Sequence, residues 1–230
     1  MARFVLVPGA GGNAWMWHLL VEELEARGHE AVAVDILEDD PALELEEFAQ
    51  QVLDAVAGDP ETVVVAQSMG AFTAPVVAER TPLRALVLLN PMTPVPGETP
   101  GQWWESTGQP EAREAADRAA GRSPEMTEDT HFYHDLPDAL REAARQGGRA
   151  PSATPFGQPC EFTGWPSIPI KVVVGRDDRF FPLEFQQRVV AERLDTTPEV
   201  LSGGHLLALS RPAELADCLE NFLVEVRASS

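Results

Sequence analysis

The sequence predicts an α/β domain: a mainly parallel, six-stranded sheet with helices on both faces and an inserted helical lid. Three observations lead there. Short runs rich in Val, Leu and Ile alternate with helix-period segments, the mark of a parallel sheet buried on both faces. The chain of 230 residues is long enough for one such domain with a full core. The alternation then fails over one long stretch, residues 91–169, where no strand pattern occurs.

The elements follow in order. Arg3 to Val7 reads as the first strand, ended by Pro8-Gly9. Ala14 to Arg27 reads as a helix, with Met16, Leu19, Leu20 and Leu24 on one side and Gly28 as its stop. Glu30 to Asp35 is the second strand, Leu45 to Val56 the second helix and Thr62 to Gln67 the third strand. Gly70 to Arg80 is a helix and Ala85 to Asn90 the fourth strand. Ile170 to Gly175 is the fifth strand, Leu183 to Arg193 a helix, Pro198 to Leu201 a weak sixth strand, and Ala213 to Val226 the last helix. Between strands four and five lie Trp103-Trp104, helix-like pieces near 111–120 and 137–146, and a Pro/Gly-rich segment from Gly147 to Pro159. So long an irregular connection in a compact domain calls for a purpose. The expected division is a core of residues 1–91 and 168–230 and a helical lid of residues 92–167, set over the carboxyl edge of the sheet, where ligands of such sheets bind.

Composition removes several function classes. Basic residues number 17 and acidic ones 37, a net charge of −20. Such a surface repels phosphate backbones and anionic lipid, so neither nucleic acid nor membrane is an expected partner. No apolar run approaches the ~20 residues of a membrane span. Cys160 and Cys218 are far apart, and the apolar opening Phe4 to Val7 is too short for a signal peptide. Two reduced thiols in a cytoplasmic protein are therefore expected. The one lysine, Lys171, sits in neither a P-loop nor a Schiff-base context.

The chemistry-bearing residues lie just after strands. Ala66-Gln67-Ser68-Met69-Gly70 joins the third strand to a helix. A nucleophilic serine on so sharp a turn needs small residues two positions before and after it, and Ala66 and Gly70 are small. A helix N-cap serine is the other reading of Ser68. Pro8-Gly9-Ala10-Gly11-Gly12 follows the first strand and can aim the Ala10 N–H at the point reached by the Met69 N–H, giving a two-donor oxyanion hole. A plain Gly-rich turn is the alternative, while the Gly-x-Gly-x-x-Gly of a dinucleotide loop is absent: residues 9, 11 and 14 are Gly, Gly and Ala. Of the five histidines, His205 alone follows a strand end in a loop, Ser202-Gly203-Gly204-His205. His18 is in the first helix, His29 lies at the wrong end of the second strand, and His131 and His134 belong to the lid, with a spacing that suits zinc but no third ligand cluster. Strand five is followed by Gly175-Arg176-Asp177-Asp178, in which either aspartate could orient His205.

With those residues in place, the sequence resembles the α/β-hydrolase superfamily over nearly its whole length. The chain order serine, aspartate, histidine is the one that superfamily uses. Its acid lies in Gly-x-x-Asp-x-x-x-Pro, and Gly175, Asp178 and Pro182 match, so the resemblance selects Asp178 over Asp177. Phe4-Val5-Leu6-Val7-Pro8-Gly9-Ala10 with Trp15-Met16-Trp17 is similar to the small methylesterase and hydroxynitrile lyase branch, Pro8 standing where that branch has histidine. The resemblance implies strand order 2-1-3-4-5-6, a Ser68–His205–Asp178 triad, and no cofactor or metal. It also separates chemistries. Plant hydroxynitrile lyases of the branch carry threonine at the position of Gly9 and lysine after the histidine, where this chain has Leu206, so ester hydrolysis is expected over cyanohydrin cleavage. A type II-like acyl thioesterase, or a receptor on a hydrolase scaffold with little turnover, are the alternatives. The expected partner is a small, neutral, apolar ester. Gly9 and Leu206 would border its site, and Trp103, Trp104, Phe132, Tyr133 and Trp165 are candidates either to line it or simply to pack the lid.

Overall fold

A computed structural model describes residues 1–36, 43–147 and 149–228. The other residues of the predicted core and lid, 37–42, 148, 229 and 230, lie outside the described residues. Six strands, β1 (Arg3–Val7), β2 (Glu30–Ala33), β3 (Thr62–Gln67), β4 (Ala85–Leu89), β5 (Ile170–Gly175) and β6 (Glu199–Leu201), form one sheet in the order β2-β1-β3-β4-β5-β6. All five pairings are parallel. Successive side chains point to opposite faces, and the strands are apolar at both parities. Val5, Val64, Leu86 and Val172 enter one core cluster, and Phe4, Val63, Val87 and Val173 enter another.

The helices divide accordingly. Helices α2 (Leu45–Val56), α3 (Ala74–Arg80) and α8 (Leu183–Leu194) bury Phe48, Val77 and Val189 in the first cluster. Helices α1 (His18–Ala26), α9 (Leu207–Ser210) and α10 (Pro212–Ala228) bury Leu20, Leu207 and Leu219 in the second. Between β4 and β5 run α4 (Pro100–Thr107), α5 (Gln109–Ala119), α6 (Glu128–His131) and α7 (Asp138–Gly147), with no strand among the described residues. None of the described helices is long and apolar enough to cross a membrane.

Beyond the short helices α6 and α9, which the sequence reading does not contain, and β2, which ends at Ala33 rather than Asp35, three differences from that reading stand out. The helix expected over Ala14 to Arg27 is split into a 3-10 turn, Ala14–Trp17, and α1, because Asn13 caps the turn through the Trp15 N–H and sets a separate start. The helix expected from Gly70 likewise begins as a 3-10 turn, Ser68–Phe72, before α3. Helix α4 was not foreseen. Thr99 accepts from the Gln102 N–H while the Gln102 side chain accepts from the Thr99 N–H, and Pro100 occupies the first turn, so a reciprocal cap starts it.

Candidate active site

Because every strand is parallel, the carboxyl ends of β1, β3, β5 and β6 open on one edge, and the loops leaving them converge there. Ser68 follows β3 with φ of +51°. That left-handed conformation costs a non-glycine residue energy, and its place on the strand-to-helix turn is what projects the side chain. The turn can be this tight only with small neighbours. Ala66 is fully buried, and a Cβ on Gly70 would lie 2.6 Å from the Pro8 carbonyl oxygen. Gly9 is required from the other side, since its Cβ would stand 2.9 Å from Ser68 Cβ.

The loop after β6 brings His205 to the same place. Its Nδ1 lies 2.8 Å from Asp178 Oδ2, and both residues are buried. The other Asp178 oxygen accepts the backbone N–H groups of Phe180 (2.8 Å) and Phe181 (2.9 Å). Asp177 is exposed and instead holds the loop backbone, its Oδ2 accepting from Gly203 N at 3.2 Å. Of the two candidate acids, Asp178 is thus the one that bonds the imidazole. The Ser68 hydroxyl and the His205 ring border one cavity without a hydrogen bond between them, a separation common before substrate binds. Ala10 and Met69 also border it, and among the described residues neither backbone N–H has a hydrogen-bond partner, so both are free to donate to an anion.

The histidine loop is locked by residues whose part was not foreseen. Asn90, just after β4, is fully buried at φ +42°. Its Nδ2 donates to the carbonyls of Gly204 (3.2 Å) and His205 (2.9 Å), and its Oδ1 accepts from Gly175 N at 2.7 Å. Gln67 Nε2 adds a second donor to the His205 carbonyl at 3.0 Å. The only sequence signal for either is a polar residue closing an otherwise apolar strand.

The cavity has a volume of about 490 Å³. Trp104, Phe132, Tyr133, Gly9 and Leu206 border it. Trp103 does not. It is fully buried, its Nε1 donates to Thr93 O at 3.1 Å, and its ring packs on Phe181 and Phe185, because neighbouring positions on α4 point about 100° apart and only Trp104 turns to the cavity. Trp165 is likewise outside, edge-on to Phe162. Phe156, Phe180, Met16, Met92 and Met126 complete the apolar wall, and Glu128, Arg145 and Arg149 border the cavity as well. Arg145 and Arg149 are paired to Asp129 and Asp35. Three rings stand around the imidazole, with centroids of Phe132, Phe180 and Phe181 at 5.1, 5.3 and 5.0 Å from that of His205. Burial, and then Glu128, push the Tyr133 hydroxyl up to about 12, so it is a neutral phenol at physiological pH.

Three of the remaining histidines, His131, His29 and His18, serve elsewhere. His131 is buried against Asp117 at 3.0 Å, with Arg113 3.1 Å and Arg122 2.9 Å from the same carboxylate. Burial pushes the Asp117 carboxyl up, but its bonds to His131 and Arg122 outweigh that and hold it below its usual range. This cluster ties α5 to α6. His29 is bonded to Ala2 N and Glu220, and His18 stacks on Trp15. Among the described residues no group of three or more His, Cys, Asp or Glu side chains is placed to hold a metal ion.

Comparison with known proteins agrees with this fold. The sequence profile of the alpha/beta hydrolase family matches residues 4–218. The probable esterase PIR7A of Oryza sativa subsp. indica is 34% identical over 111 residues, covering 43% of this chain and 42% of that protein. An alpha-hydroxynitrile lyase of Arabidopsis thaliana is 25% identical over 246 residues, 94% of this chain and 95% of the lyase. The crystal structure of polyneuridine aldehyde esterase superposes with a TM-score of 0.78 at 20% identity, covering 96% of this chain and 99% of that one.

Proposed function

The chain belongs to the alpha/beta hydrolase family, and on that premise we propose that it is a serine hydrolase cleaving small apolar carboxylic esters through an acyl-Ser68 intermediate. The observation that carries the reading is a serine held at φ +51° in one cavity with a histidine hydrogen-bonded, at 2.8 Å, to a buried aspartate. In this reading His205 Nε2 takes the Ser68 proton as Oγ attacks the ester carbonyl. Asp178 keeps the other ring proton on Nδ1 and stabilises the imidazolium. The Ala10 and Met69 N–H groups receive the carbonyl oxygen as it becomes an oxyanion. The alcohol leaves with the proton from His205, and water, activated by the same imidazole, releases the acid.

Residues 92–167 act as a lid in this scheme, because Trp104, Phe132, Tyr133 and Phe156 come from that segment and wall the cavity holding Ser68. The sulfur-rich, aromatic wall favours an apolar acyl or aryl group. Cyanohydrin cleavage is disfavoured: Leu206 stands beside His205, and Lys171, the chain's one lysine, is paired to Glu199 and Glu225 away from the cavity. The test is one purified sample assayed on p-nitrophenyl and aryl methyl esters, on acyl-CoA thioesters and on mandelonitrile, with fluorophosphonate labelling of Ser68. Ester turnover lost in both Ser68→Ala and His205→Ala supports the reading. Preference for the thioester, rapid mandelonitrile cleavage, or turnover surviving either substitution would refute it.

A further inference from the structure

The histidine loop is gripped from two directions. Asn90 and Gln67 hold it from the sheet through the Gly204 and His205 carbonyls. From the lid, Asp135 reaches across, and its Oδ2 accepts the Gly204 N–H at 2.7 Å. Gly204 immediately precedes His205, so this bond fixes the Gly203–Gly204 peptide, one unit before the residue that carries the imidazole. We propose that Asp135 is a positioning residue for His205, through which the seating of the lid sets the place of the catalytic base. The inference rests on His205 being that base.

Three further observations point the same way. The bond is charge-assisted and short, and its acceptor belongs to a segment 69 residues away in sequence, so it exists only when lid and sheet edge are docked. Asp135 Oδ1 and His134 Nε2 are both buried at this contact with no hydrogen-bond partner among the described residues. Native proteins rarely leave such atoms unsatisfied. Both press on the loop so closely that a Cβ on Gly204 would come within 2.9 Å and 2.8 Å of them. Finally, the turn that carries Asp135 also supplies Phe132 and Tyr133 to the cavity. A substrate resting on those two rings bears on the same short stretch of backbone that holds His205. Lid closure over substrate and alignment of the base are then one event.

The inference is tested in the full-length enzyme with Asp135→Ala and Asp135→Asn. kcat is expressed per Ser68 titrated to completion by a fluorophosphonate, which counts folded sites only. A misplacement of about 1 Å at a catalytic group costs roughly a hundredfold. Asp135→Ala is expected to lower kcat about 10- to 100-fold with KM within about threefold. Asp135→Asn, whose amide oxygen can still accept from Gly204, is expected to recover most of that loss. Gly204→Ala, which keeps the carboxylate but displaces it, is the second variant should Asp135→Ala fail to fold, and is expected to reproduce the kcat loss. Wild-type kcat per titrated site in Asp135→Ala, or an Asn variant no better than Ala, overturns the inference. The two readings fail distinguishably, because turnover surviving in His205→Ala would overturn the serine-hydrolase reading instead.

Discussion

Asp178→Asn is the substitution whose outcome the geometry specifies most closely. The wild-type carboxylate is surrounded by donors. Oδ1 takes two backbone N–H groups, from Phe180 and Phe181, and Oδ2 takes His205 Nδ1 at 2.8 Å with the Gln186 amide at 3.4 Å. Asparagine brings one oxygen and one NH2, so it must turn a donor toward one of these pairs. Facing the NH2 to Phe180 and Phe181 would leave two buried N–H groups unsatisfied, at about 1–3 kcal/mol each. The oxygen therefore stays on that side and the NH2 faces His205. Nδ1 must then accept, the ring proton moves to Nε2, and the nitrogen that should take the Ser68 proton already carries one. The wrong tautomer lowers kcat by about 10⁴ in a well-studied triad of this kind. A loss of about 10³–10⁴ is expected here, equivalent to about 4–5.5 kcal/mol of transition-state stabilisation. Asp177 is exposed and its side chain bonds the Gly203 backbone N–H, an acceptor role asparagine keeps, so Asp177→Asn should change kcat by no more than about twofold, in line with the ±0.5 kcal/mol of an ordinary surface substitution. The assay is kcat on a p-nitrophenyl ester per Ser68 titrated, for both variants. Asp178→Asn retaining more than about a tenth of wild-type kcat, against the expected loss, or Asp177→Asn being the more damaging, would refute the reasoning.

Gly9→Ala would put a methyl 2.9 Å from Ser68 Cβ, which the tight turn prevents from retreating, so kcat/KM should fall by about a hundredfold or more, and wild-type activity in steady-state assays would contradict the close approach. Tyr133 is the one tyrosine in the chain, so phenolate absorbance follows it alone, and its midpoint in the folded protein should lie near 12 rather than the ordinary ~10. The sign follows from linkage: the unfolded phenol ionises first, so the stability gained from a neutral Tyr133 is lost as pH climbs through and above ~10, visible as a falling Tm. Burial, ahead of neighbouring glutamates, pushes the Cys160 and Cys218 thiols up to about 12. Both should ignore an aromatic disulfide reagent in the native protein and react in full once denaturant is added; prompt native reaction of either would show that its burial is wrong.

Much of this fold is legible because parallel strands and their helices leave local signals. Runs such as Thr62–Gln67 and Ala85–Leu89 are apolar at every parity, so each reads as a strand buried on both faces before any partner is known. Ser68 and His205 are legible for a different reason: they are scarce residue types placed just beyond strand ends. Asp178 is less so, since Asp177 and Asp178 sit side by side and only the loop's three-dimensional course decides which is buried. Trp103 is misplaced by the sequence reading because α4 is not read there, although its cap, Thr99-Pro100-Gly101-Gln102, is present in the sequence. Without the helix, two adjacent tryptophans carry no information about which faces the cavity.

The residues that compose the site and those that hold it differ in kind, and the difference explains what escaped. Composition needs particular chemistry, a hydroxyl, an imidazole and a carboxylate, which marks its positions. Holding needs only an amide or a carboxylate with the right neighbour, and that neighbour is set by strand order rather than by local sequence. Asn90 and His205 are 115 residues apart and still bonded at 2.9 Å. Strand order supplies the missing step. β4 pairs with β3 on one side and β5 on the other, and β6 follows β5, so the residue leaving β4 stands between the serine turn and the histidine loop. A short polar side chain there can donate to one loop and accept from the other strand, and Asn90 does both. An alanine at this position would leave the Gly175 N–H and the Gly204 carbonyl unsatisfied in the interior and force φ +42° on a residue that resists it. At about 1–3 kcal/mol for each orphaned group, that loss is a large share of the 5–15 kcal/mol that typically stabilises a whole domain. The polar ends of buried strands are therefore where a sequence of this fold hides the supports of its site.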